Sequence, residues 1–285
     1  MKPGLYLVAT PIGHLGDLSP RALETLVDAD LVLCEDSRVT GKLLKLNGVE
    51  RSLSPYHEHN AGRMRPKVLD HLARDRSVAL ASDAGTPLVS DPGYKLVREV
   101  IEAGHDVIAI PGPSAALAAL VVSGLPTDRF LVAGFLPTKP SARRRAIETL
   151  KSAPATLIWF ESPKRLAASV ADLYAILGGR PAAIARELTK AFEEVRRGSL
   201  DQLARDFAKE APPRGEVVIV VGPPDENAER LCGEALDQAL TEALSSLSPS
   251  SAAAAVAART GHPRRELYAR ALALQKDQSE RKSSP

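Results

Sequence analysis

At 285 residues the chain is long for one compact unit, and 44% hydrophobic with 25% charged residues is the composition of a globular protein with a substantial core. Aromatic residues make up only 4% while Ala and Leu abound, which favours helix-rich layers over a β-sandwich. A formal net charge of +2 makes no case for a nucleic-acid partner, and no apolar run reaches the roughly 18 residues of a membrane-spanning helix, so no membrane partner is expected.

Met1–Lys2–Pro3–Gly4 runs directly into an apolar strand pattern, which leaves no room for a signal peptide. Cys34 and Cys232 lie far apart in no metal-ligand spacing, and Cys34 sits in an apolar run, so a core thiol in a reducing cytoplasm is expected rather than a disulfide framework. Short apolar runs predict strands at Leu5–Ala9, Leu31–Cys34, Val78–Ala81, Val107–Ile110, Phe130–Ala133, Thr156–Phe160, Ala182–Arg186 and Val217–Val221. Helical periodicity falls between them. Pro20–Ala29 carries Ala22, Leu23, Leu26 and Val27 on one face behind Ser19 as N-cap, and Ser162–Pro163 opens a second helix with a stripe from Leu166 to Leu177. Alternating strands and helices predict an α/β fold with largely parallel pairing.

Gly124–Leu125–Pro126–Thr127 interrupts the pattern after the apolar helix Ala115–Val122, and Gly222–Pro223–Pro224 interrupts it again. The expected organisation is an N-terminal α/β domain at 1–123, a C-terminal α/β domain at 124–224, an acidic linker at 225–248 and a basic helical extension at 249–285. Six acids face one Arg in 225–248, whereas seven Lys or Arg face three acids in 249–285. The extension reads as helix, turn, helix (Ser251–Arg259, Thr260–Pro263, Arg264–Leu274), the shape of a small helix-turn-helix; a dimer clip or a solvated appendage fits equally well.

Glycine and proline cluster where strands end: Thr10–Asp17, Ser82–Gly93 and Pro111–Ser114. In open α/β sheets the crevice beyond the carboxyl ends of the strands is where ligands bind, and three such loops from one sheet predict a pocket. No Walker pattern surrounds Gly41–Lys42 and no G-x-G-x-x-G follows the first strand, which argues against ATP and NAD. The run His57–Glu58–His59–Asn60 has no zinc spacing, so no metal is expected, and a polar loop facing substrate suits it better.

These loops, together with Glu35–Leu44, Gly134–Pro137, Phe160–Pro163, Ala185–Lys190 and Arg214–Val217, resemble the bacterial 16S ribosomal RNA cytidine 2′-O-methyltransferases, a branch of the tetrapyrrole-methylase superfamily. The likeness runs in order over about residues 4–224. Ser82–Tyr94 is its most specific block, while Pro111–Ala115 is shared by the whole superfamily. His14, Ser37, Phe160 and Lys164 depart from the family pattern, where Asn, Thr, Tyr and His are usual. The resemblance implies two α/β domains with a cleft between them for S-adenosylmethionine, a homodimer, and 16S rRNA or the small ribosomal subunit as partner. It places the cofactor against Pro11, Ile12, Gly13, Gly85, Thr86, Pro87, Leu88, Val89, Ser114, Ala115, Phe160, Glu161 and Leu188.

A ribose hydroxyl is a weak nucleophile, so a nearby base would help. Glu35, Asp36, Asp83, Asp91 and Glu161 are candidates, with Asp83 and Asp36 foremost; an Asx-type turn explains Asp83 as well. Arg38 and Lys42, four apart on one helix face, and Arg264 and Arg265 in the extension could meet RNA phosphates, though a solvated face is as good a reading. Lys139 with Arg143, Arg144 and Arg145 reads as a solvated helix start. A precorrin or other tetrapyrrole methylase on the same fold, or a catalytically idle RNA- or ribosome-binding protein, are the alternatives.

Overall fold

A computed structural model describes residues 1–224, 234–260 and 263–282. The chain divides into two compact units, Met1–Pro223 and Pro224–Pro285.

The first unit holds two five-stranded sheets. In the first, β1 (Gly4–Val8), β2 (Leu31–Cys34), β3 (Ser54–Pro55), β4 (Ser77–Ala81) and β5 (Val107–Ile110) are arranged 3-2-4-1-5, every pair parallel. Helices cover both faces: α1 (Pro20–Asp28) and α2 (Ser37–Leu46) on one, α3 (Ala61–Ala73) and α4 (Tyr94–Glu102) on the other. Burial on both faces explains why β2 and β4 read as unbroken apolar runs, whereas the two-residue edge strand β3, half-buried at Ser54 and exposed at Pro55, carries no such signal. Ser19 caps α1 as its sequence promises, accepting from Ala22 N at 3.1 Å. Cys34 is a buried free thiol that burial pushes up to about 11, which makes it an inert core group.

The second sheet joins β6 (Phe130–Phe135), β7 (Thr156–Glu161), β8 (Pro181–Arg186), β9 (Glu194–Ser199) and β10 (Val217–Val221) in the order 6-7-10-8-9. Here the expectation of largely parallel pairing fails. Only β6 with β7 is parallel; β7–β10, β10–β8 and β8–β9 are antiparallel. The link between β8 and β9, residues 187–193, is too short for a crossover, which needs about a dozen residues. One face is covered by α6 (Pro140–Glu148), α7 (Leu166–Leu177) and α8 (Leu200–Phe207). The other is covered by α5 (Ala115–Ser123), whose Ala116, Ala119 and Leu120 pack on Ile158, Ala183 and Val218. Thus α5 follows the last strand of the first sheet yet buries its apolar surface on the second, and Gly124 closes it in the left-handed conformation (φ +76°). Arg143 corrects a sequence expectation: it is 5% exposed and pairs with Asp172, which also accepts from the Nε of Arg144 at 2.7 Å, so this basic cluster is partly core rather than a solvated helix start.

The second unit is a helical trio: α9 (Glu234–Leu244), α10 (Pro249–Thr260) and α11 (Arg264–Lys282). Leu236, Leu240, Ala253, Val256, Leu267 and Ala271 form its core, and Arg270 of α11 pairs with Asp237 of α9. The acidic stretch 225–248 is therefore not simply a linker, because it supplies a helix to this core. Gly261 and His262 of the expected turn, and Cys232, lie outside the described residues. Among the described residues no helix is long and apolar enough to cross a membrane.

Candidate functional site

Because β1 lies between β4 and β5, the loops that leave these three strands emerge side by side. They are sewn together by their own backbones. Thr10 N donates to Gly85 O at 2.9 Å and Gly85 N donates back to Thr10 O at 3.0 Å. The Thr10 hydroxyl reaches Ser82 O at 3.0 Å, and the Thr86 hydroxyl reaches Pro113 O at 3.0 Å. Gly85 holds φ +83°, a left-handed conformation that makes this bridge possible without a side-chain penalty. Leu88 (φ +70°) and Ser90 (φ +67°) adopt the same region in this loop without being glycine, as do Glu187 (φ +51°) and Thr189 (φ +64°) after β8. Among the described residues, four of the five non-glycine residues with positive φ thus fall in two loops. Strained backbone concentrated in this way marks functional loops held by their surroundings.

The loop after β1 meets the loop after β8. His14 N donates to the Thr189 hydroxyl at 3.1 Å, and the His14 imidazole accepts from Gly16 N at 3.1 Å, so this departure from the family pattern still caps its turn. Gly13 is required by proximity: a Cβ there would lie 2.5 Å from Lys190 Cγ and 3.0 Å from Leu188 O.

A half-open cavity of about 260 Å³ lies between the carboxyl-end loops of the first sheet and strands β6, β7 and β10 of the second. That is a little under the roughly 300 Å³ at which small-molecule sites begin. Ile12, Val89, Phe135, Phe160 and Val218 give apolar walls, while Asp83, Ser114, Glu161 and Glu216 bring polar groups. The ladder of β6 on β7 is irregular between Val132 and Phe135; the bulge aims Phe135 at the cavity, its ring 5.4 Å from that of Phe160. Such a slot, apolar with a few convergent polar atoms, suits an adenosyl group, and the residues present fit S-adenosylmethionine.

Of the residues expected around the cofactor, Ile12, Gly85, Thr86, Val89, Ser114, Ala115, Phe160 and Glu161 line the cavity together. Pro11, Gly13, Pro87, Leu88 and Leu188 do not line it. Leu88 packs against the core of the first sheet, Leu188 lies in the cluster with Ile12 and Ala185, and Pro87 borders a small adjoining void beside Glu35 and Tyr56. Lining residues outside that set include Phe135, Glu216 and Val217. Their signal was present, since all three stand in the short blocks Gly134–Pro137 and Arg214–Val217.

The two foremost base candidates separate cleanly. Asp36 is the N-cap of α2, accepts from Arg38 N at 2.8 Å, and is clamped by the Arg38 guanidinium; those bonds hold its carboxyl down at about 2. It does not line the cavity. Asp83 does, and it accepts from the backbone N of Asp36 at 2.9 Å, a bond that ties two strand-end loops together rather than capping its own turn. Burial raises its pKa above the ordinary carboxylate value, the Asp36 carboxylate adding to the effect. Asp91, also on the cavity, and Glu35 nearby are raised too, by burial first, then Asp91 by the charge of Asp83 and Glu35 by those of Asp91 and Asp83. Carboxylates shifted in this way around one cavity are a functional-site signature. Glu161 is committed to structure: it accepts from Ser162 N, the Ser169 hydroxyl and Arg165. The Arg38 guanidinium is spent on Asp36, Lys42 is exposed, and Arg264 and Arg265 are exposed at the start of α11 in the second unit.

The model of the Tetrapyrrole (Corrin/Porphyrin) Methylases matches residues 4–204, and that of the RsmI C-terminal HTH domain matches residues 232–275. The fold accords with solved structures. One is a diphthine synthase (TM-score 0.60, 18% identity, covering 76% of this chain and 89% of that one). Another is the uroporphyrin-III-C-methyltransferase of Thermus thermophilus (TM-score 0.54, 23% identity, covering 77% and 94%). Fold and cavity together define a methyltransferase of the tetrapyrrole-methylase type. The chain is 53% identical to the ribosomal RNA small subunit methyltransferase I of Mesorhizobium japonicum, over 96% of this chain and 93% of that protein, and 42% identical to that of Escherichia coli O157:H7 over 95% of each. It belongs to the ribosomal RNA small subunit methyltransferase I family.

Proposed function

We propose that this methyltransferase transfers a methyl group from S-adenosylmethionine to the 2′-hydroxyl of a cytidine ribose in 16S ribosomal RNA, acting in the cytoplasm as a homodimer on the assembled small subunit at its decoding centre. The names of its relatives support the ribosomal RNA acceptor. The observation that carries the reading is the cavity itself: three stitched loops and the second sheet wall it, and Asp83 stands at its edge with a raised pKa. Bound S-adenosylmethionine would supply an electrophilic methyl on a sulfonium, leaving as neutral S-adenosylhomocysteine when the methyl–sulfur bond breaks. The chain's own task is placement, since holding two reactants in line removes much of the entropic barrier. Ile12, Val89, Phe160 and Val218 exclude water around the adenosyl group, and the Ser114 side chain and the Thr86 backbone N–H offer it hydrogen bonds. Asp83 takes the hydroxyl proton as the new C–O bond forms, and its raised pKa brings it nearer to matching a weakly acidic hydroxyl than an ordinary carboxylate would. Asp36, clamped by Arg38, positions Asp83 through its backbone N–H.

Small subunits lacking this modification, incubated with the protein and methyl-labelled S-adenosylmethionine, provide the test. Digestion and mass spectrometry are expected to find the methyl on a cytidine ribose, where it blocks alkaline cleavage at the adjoining 3′ phosphate. Label on a base, or transfer to a tetrapyrrole and not to RNA, would overturn the reading and leave the fold untouched.

A further inference from the structure

A second cavity, of about 290 Å³, lies on the outer edge of the first sheet between β3 and α3. Leu31 and Met64 give it an apolar floor. Arg63, Lys67 and His71 stand along its rim at i, i+4 and i+8 of α3, one face of the helix, with about 6 Å of rise between neighbours. No acid lines it. Among the described residues Arg63 and Lys67 are exposed and engaged in no ion pair or side-chain hydrogen bond, and the buried Nδ1 of His71 has no partner. Asp70 on α3 pairs with Arg74, and Glu99 of α4 pairs with Arg65, so neither neutralises Arg63 or Lys67. Other cations of this unit, such as Arg38, Arg143, Arg186 and Arg196, are neutralised by carboxylates. Unpaired cations lined up beside a cavity can make charge-assisted contacts to the phosphates of a ligand.

Its position says which. β3 is the edge strand, two strand spacings from β4, so the α3 cavity lies roughly 10 Å across the sheet from the strand whose loop carries Asp83. At a stacked rise of about 3.4 Å this lateral offset alone spans on the order of three nucleotides, and the cavity's extent along the strands towards Leu31 adds to it. We infer that the α3 cavity grips the phosphate backbone of the RNA substrate a few nucleotides from the residue being methylated, with Arg63 and Lys67 as the phosphate contacts. This inference rests on the reading above that RNA is the acceptor. It gives the strand a second fixed point, so that the target ribose is held by its neighbours rather than by contacts to its own base.

The test compares the whole protein with the double variant Arg63→Ala/Lys67→Ala, and with Arg74→Ala/Arg98→Ala, which removes two exposed cations that make only surface pairs. Affinity for 16S RNA and for small subunits is measured against salt concentration, and S-adenosylhomocysteine affinity serves as the measure of folding. The α3 variant is expected to bind S-adenosylhomocysteine normally while its log K against log salt slope shrinks by about 1.4–1.8, two phosphate contacts at about 0.7–0.9 each. The control should lose less than half of that. A slope equal to the control's overturns the inference and leaves the acceptor reading standing. A wild-type chain that binds S-adenosylhomocysteine but no RNA overturns both. Weakened binding to whole subunits with unchanged binding to naked RNA would assign the cavity to an acidic protein surface and overturn the phosphate contact.

Discussion

Asp36 and Asp83 are one hydrogen bond apart, and the sequence favours Asp83 only for the glycines beside it. Both follow strand ends, and both are flanked by turn-forming residues. What separates them is a single neighbour: Arg38 folds back on Asp36 and leaves Asp83 with a backbone N–H alone. No spacing rule announces which carboxylate an arginine two residues away will choose. Asp83→Asn keeps an acceptor for Asp36 N but abolishes the base. Methyl transfer in single turnover should fall by about 10²–10⁴-fold with little change in S-adenosylhomocysteine affinity. Stability should move the other way. A carboxyl whose folded pKa is raised stabilises the fold only at low pH and loses that contribution as pH rises through its folded value, so at neutral pH its charge is a liability. The variant is therefore expected to melt no lower than wild type at neutral pH. Its rate should lose the acid limb that wild type shows above the ordinary carboxylate range. A variant that transfers methyl at the wild-type rate would remove Asp83 from the chemistry.

Ser77–Ala81, Thr156–Glu161 and Val217–Val221 were legible because burial on both faces leaves them almost no polar positions. β9 was not legible: Glu194–Ser199 is an edge strand of the sequence Glu-Val-Arg-Arg-Gly-Ser, and pairing with β8 rather than composition makes it a strand. The same holds for α9, whose acidic surface hides the two leucines it buries. Arg143 was misread for a related reason, since its partner Asp172 lies 29 residues on, inside the apolar stripe of α7. That pair gives an element-scale prediction. Burial pushes Asp172 up, but bonds from Arg144 and Arg143 outweigh it and hold the carboxyl below its usual value. Its contribution is present above the unfolded carboxylate pKa and lost as pH falls through the depressed one. Asp172→Ala leaves the Arg143 charge buried without a partner and should cost about 3–5 kcal/mol, on the order of 10 °C in Tm at neutral pH. The gap between variant and wild type should narrow at acid pH. Thermal unfolding monitored by circular dichroism decides it; an unchanged Tm at neutral pH would mean that the α6–α7 ion pair contributes nothing.

At the scale of the whole molecule, the sequence placed the three glycine- and proline-rich loops in one pocket because they follow strands that turn out to be neighbours around β1. It could not show that α5 crosses to the second sheet, nor that an antiparallel sheet would supply the facing wall, since neither follows from local pattern. The charge asymmetry near the C-terminus also changes meaning once α9 is seen. The acids Glu234, Asp237 and Glu242 of α9 and the bases of α11 belong to one compact helical unit, where Asp237 and Arg270 pair. The central claim is that the cavity between the two sheets holds the methyl donor, and calorimetric titration with S-adenosylhomocysteine tests it most directly. The wild-type chain should bind with the same affinity in the presence and absence of a metal chelator. Phe160→Ala, which removes an apolar wall from β7 while leaving the strand's pairing intact, should raise the Kd by about tenfold or more, a loss of roughly 1.4 kcal/mol. No heat of binding from the folded wild-type chain, or an unaltered Kd in Phe160→Ala, would contradict it.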